Sequence, residues 1–157
     1  MGSVIPLKKE VENSYLELKN LVGNKLEEVN LQIKYKLASE INLIHKMVNY
    51  HLKSGGKRIR PLLTLGSAKL CGYVNGSRDV NLAACVELIH SATLLHDDVI
   101  DASNLRRGNK TSNSIWGNQS SILVGDYLFS RCFEMMVEDG SQEILKLLSY
   151  TSSKIAQ

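Results

Sequence analysis

The stretch DVNLAACVELIHSATLLHDDVID, residues 79–101, decides the fold class of this chain. Its apolar residues recur mainly at the three- and four-residue steps that are typical of an α-helix. We therefore predict one long helix from Val80 to about Asp101, with Asp79 as the residue that caps its start.

Helical patterns cover most of the remaining chain, and no alternating strand pattern interrupts them. The predicted fold class is all-α, an antiparallel helical bundle with short connections. The last helix has no Gly or Pro stop signal, so residues 1–157 are interpreted as the N-terminal part of a single domain, incomplete at the C-terminus. The other predicted helices are Pro6 to Ile33 (continuous or broken near Gly23), Ala38 to Leu52, Pro61 to Gly72, Gln119 to Val137 and Gln142 to Ile155, with a polar loop at 102–114.

Bulk composition excludes several classes of protein. A chain of 157 residues with 43% hydrophobic and 22% charged residues has ordinary globular composition and can form one core. Its net charge of +3 is too small to indicate nucleic-acid binding. The cysteines Cys71, Cys85 and Cys132 lack zinc-site spacing and are expected to be buried. No apolar run reaches the length of a signal peptide or a membrane span, so we predict a cytoplasmic protein.

The acidic run at the end of the long helix is the strongest chemical signal. Asp97 and Asp101 are four residues apart, so their carboxylates share one face of the helix. They repel each other and lie at the negative end of the helix dipole, which favours a compensating cation. A hard divalent ion that keeps positions open for a phosphate fits this pattern. A solvated acidic helix end is the alternative.

Basic residues flank this acidic run on both sides in the sequence. Arg106 and Arg107 follow it closely, and arginine binds phosphate oxygens in a bidentate manner. Upstream, the turn KSGGKRIRP, residues 53–61, carries two cations three residues apart, and its glycines would let the backbone approach a ligand. A surface ion network and a solvated basic turn are the alternative interpretations. The upstream cations are Lys57 and Arg60, and His90, which by itself is typical of a core histidine, lies between the two groups.

Four motifs stand out along the chain, namely GGKRIRP (55–61), ELIHSATLLHDDVID (87–101), RRG (106–108) and VGDYL (124–128). Together, in this order and spacing, they resemble the trans-isoprenyl (polyprenyl) diphosphate synthases. The resemblance implies an all-helical fold around a deep cavity, usually a homodimer, and Mg²⁺-dependent elongation of an allylic diphosphate with isopentenyl diphosphate. Family members are longer than this chain and carry a second aspartate-rich motif in their other half.

The resemblance also implies a role for each site residue. Asp97 and Asp101 resemble the magnesium ligands and, with Arg106, the catalytic residues. Asp98 is an uncertain member, because it points about 100° away from Asp97 on a helix. Arg106 resembles the contact to the allylic diphosphate. The isopentenyl diphosphate pocket is expected to contain Lys57, Arg60, His90 and Arg107.

The residues before the acidic run bear on product length. Ala92 and Thr93 are small where short-chain members of the family commonly hold a bulky side chain, so the chain resembles medium- and long-chain, octaprenyl-type synthases that supply quinone side chains. Close packing of two helices is the alternative reason for their small size. Two alternatives to a chain-elongating synthase also stay open: a non-catalytic partner subunit or inactive fragment, and a terpene cyclase or head-to-head synthase.

Overall fold

The computed structural model describes residues 7–53 and 56–155, and these residues form seven helices and one short hairpin. The predicted all-α fold class is confirmed. None of the described helices is long and apolar enough to cross a membrane. The helices are α1 (Leu7–Lys36), α2 (Asn42–Lys53), α3 (Ile59–Leu70), α4 (Arg78–Ile100), α5 (Ser112–Trp116), α6 (Asn118–Asp139) and α7 (Gln142–Ile155), and β1 (Leu105–Arg106) pairs antiparallel with β2 (Asn109–Lys110).

Helix α4 is the centre of the fold, because it packs against α1, α3 and α6. Small residues on α4 are fully buried, and they let the neighbouring helices approach closely. One stripe of the helix stays less buried and includes His90, Thr93, Leu94 and Asp97. His90 and Leu94 of this stripe line a cavity that α4 forms with the turn before α3 and with the hairpin.

The start of α4 differs from the sequence prediction. The helix begins at Arg78 after Ser77, so Asp79 is not the cap but lies within the first turn. Its carboxylate is buried and pairs with Lys25 of α1, while its Oδ1 accepts a hydrogen bond from the Val80 amide. A long-range ion pair therefore uses an acid that the local pattern had assigned to capping, since a buried carboxylate needs a partner.

Two other predictions need correction. The segment 102–114 is not only a loop, because it contains the hairpin and the first turn of α5. The hairpin turn is Arg107-Gly108, and both residues have positive φ (52° and 79°), as type I′ turns require. Of the three cysteines, Cys85 and Cys132 are buried as predicted, but Cys71 is exposed.

Candidate functional site

A cavity of about 530 Å³ opens between the turn that precedes α3, helix α4 and the hairpin. All five residues that the sequence analysis assigned to substrate binding line this cavity, although they come from three separate segments of the chain. Lys57, Arg60 and Arg107 are exposed, whereas His90 and Arg106 are half-buried. These five residues place four cations and one imidazole around a single space, which Arg58, Glu87 and His51 also line, and this excess of positive charge favours an anionic ligand.

The basic turn is fixed to α4 by an ion pair that sequence reasoning missed. Arg58 has a left-handed backbone conformation, with φ of 50°, and its Nη1 donates to Oε1 of Glu87 at 2.6 Å. Glu87 is buried, and it lies one helical turn before His90. No local signal pairs residues 29 positions apart, although an acid on the apolar face of α4 marks a position that needs a partner.

Gly56 explains why the basic turn and the hairpin lie so close together. A Cβ atom added to Gly56 would lie 2.9 Å from Nη1 of Arg107, so the missing side chain makes room for this guanidinium. We expected the glycines to admit a ligand, but at Gly56 the group in contact is the Arg107 side chain. Gly55 lies outside the described residues. Because Arg107 lies against Gly56, the hairpin and the basic turn lie side by side, and we call them the two cationic segments.

Arg106 is bound to Asp98 by three hydrogen bonds. Its Nε donates to Oδ1 at 3.0 Å and to Oδ2 at 3.2 Å, and its Nη2 donates to Oδ1 at 2.8 Å. Asp98 is 3% exposed, whereas the side chain of Arg106 is 35% exposed towards the cavity. The hydrogen bond to Asp98, more than any other cause, raises the pKa of Arg106 above its ordinary value.

The other two aspartates point elsewhere. Asp97 and Asp101 are exposed at the end of α4, outside the lining of the cavity, and the Asp101 amide donates to the Asp97 carbonyl at 2.8 Å. Neither carboxylate makes a hydrogen bond or ion pair with another described residue. Within residues 7–53 and 56–155, no group of three or more His, Cys, Asp and Glu side chains is placed to hold a metal ion. A pair of exposed carboxylates one turn apart still fits Mg²⁺, which binds one or two carboxylates and takes its other ligands from waters and phosphates.

Two histidines beside the cations have lowered pKa values. Burial, assisted by the charges of Arg60, Arg106 and Arg107, lowers the pKa of His90, and Glu87 opposes this shift only in part. Burial also lowers the pKa of His51 from 6.5 to about 4, against the opposing charge of Asp98. His51 belongs to α2 and lines the same cavity, yet sequence reasoning missed it, because a histidine in an amphipathic helix carries no distinguishing pattern.

Comparison with known proteins assigns the family. Residues 41–157 match the family model described as polyprenyl synthetase. The chain belongs to the polyprenyl synthetase family. Octaprenyl diphosphate synthase of Escherichia coli (strain K12) is 41% identical over 141 residues, which are 90% of this chain and 43% of that protein. This polyprenyl synthetase chain therefore spans less than half the length of that curated relative.

Solved structures of polyprenyl synthetases have the same fold as this chain. A decaprenyl diphosphate synthase from Rhodobacter capsulatus superposes with a TM-score of 0.87 at 43% identity, over 90% of this chain and 44% of that chain. A polyprenyl synthase from Caulobacter crescentus CB15, complexed with calcium and isoprenyl diphosphate, gives a TM-score of 0.87 at 43% identity, over 90% of this chain and 43% of that chain.

Two tyrosines of this polyprenyl synthetase chain donate hydrogen bonds to the main chain of the two cationic segments. The Tyr50 hydroxyl donates to the Lys110 carbonyl of the hairpin at 2.7 Å, and its ring packs edge-on against Trp116 with centroids 5.2 Å apart. The Tyr15 hydroxyl of α1 donates to the Lys57 carbonyl at 3.2 Å, and the Lys57 ammonium lies 5.9 Å from the centre of the Tyr15 ring. These contacts hold both cationic segments against the helices.

The VGDYL motif has a packing role in this structure. A Cβ atom on Gly125 of α6 would lie 2.2 Å from Nε2 of His96, so the glycine lets α6 close on the residue just before Asp97. The His96 Nε2 lies 3.2 Å from the Ile122 carbonyl and 3.5 Å from Oδ1 of Asp126. This close approach fixes the end of α4 that carries the acidic run.

Proposed function

We propose that this chain belongs to a prenyltransferase that condenses isopentenyl diphosphate with an allylic diphosphate by 1′–4 elongation. The product we propose is a medium- or long-chain all-trans polyprenyl diphosphate, the kind used for quinone side chains. The observation that carries the proposal is the single cavity around which Lys57, Arg60, His90, Arg106 and Arg107 meet. The octaprenyl and decaprenyl synthases among the relatives support the chain-length class.

The reaction is assigned to a complete synthase that contains these 157 residues. The relatives are more than twice as long as the part that this chain matches, and the sequence has one aspartate-rich motif. We propose that the 157-residue chain is inactive alone and that the complete synthase is a homodimer. The homodimer and the cytoplasmic location stay predictions.

We assign the metal to Asp97 and Asp101. Both carboxylates are exposed and unpaired among the described residues, whereas Asp98 is occupied by Arg106. Magnesium held there would supply positive charge to the departing diphosphate of the allylic substrate. The Caulobacter crescentus structure, which is complexed with calcium and isoprenyl diphosphate, supports the use of a divalent ion in this family.

We assign the two diphosphates to different parts of the cationic cavity. Arg106, the cation nearest the acidic run in sequence, would bind the allylic diphosphate, and the charges of Asp97 and Asp101 also act on it. Lys57, Arg60, His90 and Arg107 bind isopentenyl diphosphate. A diphosphate beside His90 favours the protonated imidazole, which would then donate a charge-assisted hydrogen bond to it.

The chemical step follows from this placement. The bond between the allylic carbon and its diphosphate oxygen breaks, and the diphosphate leaves with the electron pair. The double bond of isopentenyl diphosphate attacks the allylic carbon, and a proton is then lost to the departed diphosphate. The protein contributes orientation and electrostatic stabilisation of the separating charges.

Separate roles for the acidic run and the cavity can be tested by kinetics of the complete synthase. Asp97→Ala is expected to lower kcat steeply, because the leaving group loses its metal. Arg107→Ala is expected to raise KM for isopentenyl diphosphate. The loss of a charge-assisted hydrogen bond should weaken binding of this substrate by about 1.5–3 kcal/mol. Labelled isopentenyl diphosphate, an allylic primer and Mg²⁺ give both constants. A wild-type enzyme that forms no prenyl product would refute the proposed function. If Asp97→Ala and Arg107→Ala changed only KM, and changed it equally, the separate roles would be wrong.

A further inference from the structure

The residue at the centre of the basic turn has an unusual backbone conformation. Arg58 lies in the left-handed region, with φ of 50° and ψ of 39°, although it carries a side chain. This conformation is unfavourable for a residue with a Cβ atom, so it persists only where surrounding contacts hold it. Helix α3 begins at the next residue, and the Leu62 amide donates to the Arg58 carbonyl at 3.0 Å. The chain therefore changes direction at Arg58, between Lys57 and Arg60.

Contacts to two helices hold this left-handed residue. Nη1 of Arg58 donates to Oε1 of Glu87 on α4 at 2.6 Å, and the two side chains are only 19% and 10% exposed. The carbonyl of Lys57, in the peptide just before Arg58, accepts a hydrogen bond from the Tyr15 hydroxyl of α1 at 3.2 Å. Glu87 lies one helical turn before His90. The ion pair thus ties the basic turn to the part of α4 that carries His90.

We propose that Glu87 is a positioning residue for the isopentenyl diphosphate pocket and acts through Arg58, an inference that rests on the function proposed above. By holding Arg58 in the left-handed conformation, Glu87 directs Lys57 and Arg60 to the cavity that His90 also lines. Arg58 lines the cavity too, but its guanidinium is engaged with Glu87. Its part in binding is to set the path of the backbone, and it is not a ligand of the diphosphate.

Two opposing effects follow when the carboxylate of Glu87 is removed. Glu87→Gln replaces a charge-assisted hydrogen bond with a weaker neutral one, so fewer molecules hold the left-handed turn. The apparent affinity for substrate falls in proportion to the fraction of molecules that are competent to bind it. The cavity also becomes more positive, which favours an anion. The proposal requires the loss of the turn conformation to outweigh the gain in charge, so Glu87→Gln should raise KM for isopentenyl diphosphate about fivefold.

A comparison of glycine and alanine at position 58 separates conformation from charge. Glycine adopts the left-handed conformation without steric cost, whereas alanine does not. Arg58→Gly and Arg58→Ala are each combined with Glu87→Gln in the complete synthase, so that each double variant loses one cation and one anion and keeps the net charge of the wild type. Steady-state kinetics with each substrate varied then report the two KM values.

The expected results differ between the two double variants. KM for isopentenyl diphosphate should stay within about threefold of wild type in the glycine variant, and it should be about fivefold higher in the alanine variant than in the glycine variant. KM for the allylic diphosphate should stay within about twofold of wild type in both. Equal KM values for isopentenyl diphosphate in the two variants would overturn the proposal, because a guanidinium that binds the substrate directly is lost equally in both. An unchanged or lowered KM in Glu87→Gln would also overturn it.

Asp139→Asn is the matched control for the loss of a buried carboxylate. The side chain of Asp139 is 2% exposed and pairs with Arg78 at 2.7 Å, and neither residue lines the cavity. This variant should lower the free energy of unfolding and leave KM for isopentenyl diphosphate within about twofold of wild type. A rise in KM as large as that of Glu87→Gln would show that the effect is not specific to the basic turn, and the inference would be wrong.

A second comparison covers the case in which the Glu87→Gln variants do not fold. Arg58→Gly and Arg58→Ala, made with Glu87 in place, remove the same partner from the same carboxylate and differ only in backbone preference. The glycine variant should again have the lower KM for isopentenyl diphosphate, and equal values would refute the inference. Wild-type turnover in the same assay tests the proposed function separately, so the two failures are distinguishable.

Discussion

The contact between Gly125 and His96 gives a prediction that depends on geometry alone. In Gly125→Ala the new Cβ atom would lie 2.2 Å from Nε2 and 2.5 Å from Cδ2 of the His96 ring. Ordinary van der Waals contact begins at 3.4 Å, so the ring or the α6 backbone must move by about 1.2 Å. That movement breaks the contact between Nε2 and the Ile122 carbonyl.

Three effects set the magnitude of this change. Overpacking costs about 1–3 kcal/mol, and a lost hydrogen bond costs about 1 kcal/mol. Alanine favours the helix over glycine by about 1 kcal/mol, which offsets part of the loss. The net expectation is that the free energy of unfolding falls by about 1–3 kcal/mol.

Equilibrium unfolding in urea measures this difference, and Gly23→Ala is the matched control. Gly23 also lies within a helix, but a Cβ atom there would meet nothing within 4 Å, so this variant should gain about 0.5–1 kcal/mol. In a His96→Ala background the clash is absent, and Gly125→Ala should no longer destabilise the protein. A Gly125→Ala protein at least as stable as wild type would refute the packing argument.

Two further predictions concern acid stability and product length. Because the pKa of folded His51 is lowered from 6.5 to about 4, the unfolded chain binds more protons between these values. The free energy of unfolding should therefore rise with pH across this window by up to about 3 kcal/mol, and His51→Asn should remove that part of the slope in urea titrations at several pH values. An unchanged slope in His51→Asn would contradict the assignment. For product length, Thr93→Phe in the complete synthase should shorten the products measured by chromatography, because Thr93 is half-buried on the less buried stripe of α4. Ala92→Phe should instead destabilise the protein, because Ala92 is fully buried. Unchanged product length in a folded Thr93→Phe enzyme would exclude a role for Thr93 in limiting product length.

Sequence patterns predicted the helices well, for a physical reason. Helical periodicity is local, so α4 and the other long helices could be located to within a few residues from the sequence alone. The cationic residues predicted to bind substrate lie in short motifs that are visible in the sequence, and the fold does bring them together.

Pairings between distant residues could not be predicted in the same way. The sequence pattern predicted Asp79 as the N-cap of α4, but in the structure its carboxylate pairs with Lys25, which lies 54 residues away in the chain. The role of Asp98 was uncertain because the sequence shows three adjacent acids but not which one Arg106 contacts. His51 gave no signal, since its environment is created by residues from α4 and the hairpin. In each case a contact made only in the folded chain decides the chemistry.

The placement of the substrates is tested most directly by a crystal structure of the complete synthase with Mg²⁺, isopentenyl diphosphate and an unreactive allylic diphosphate analogue. The account predicts isopentenyl diphosphate in the cavity against Lys57, Arg60, His90 and Arg107. It predicts Mg²⁺ on Asp97 and Asp101, with the Asp98 to Arg106 contact intact. A metal bound by Asp98, or diphosphates bound away from this cavity, would contradict it.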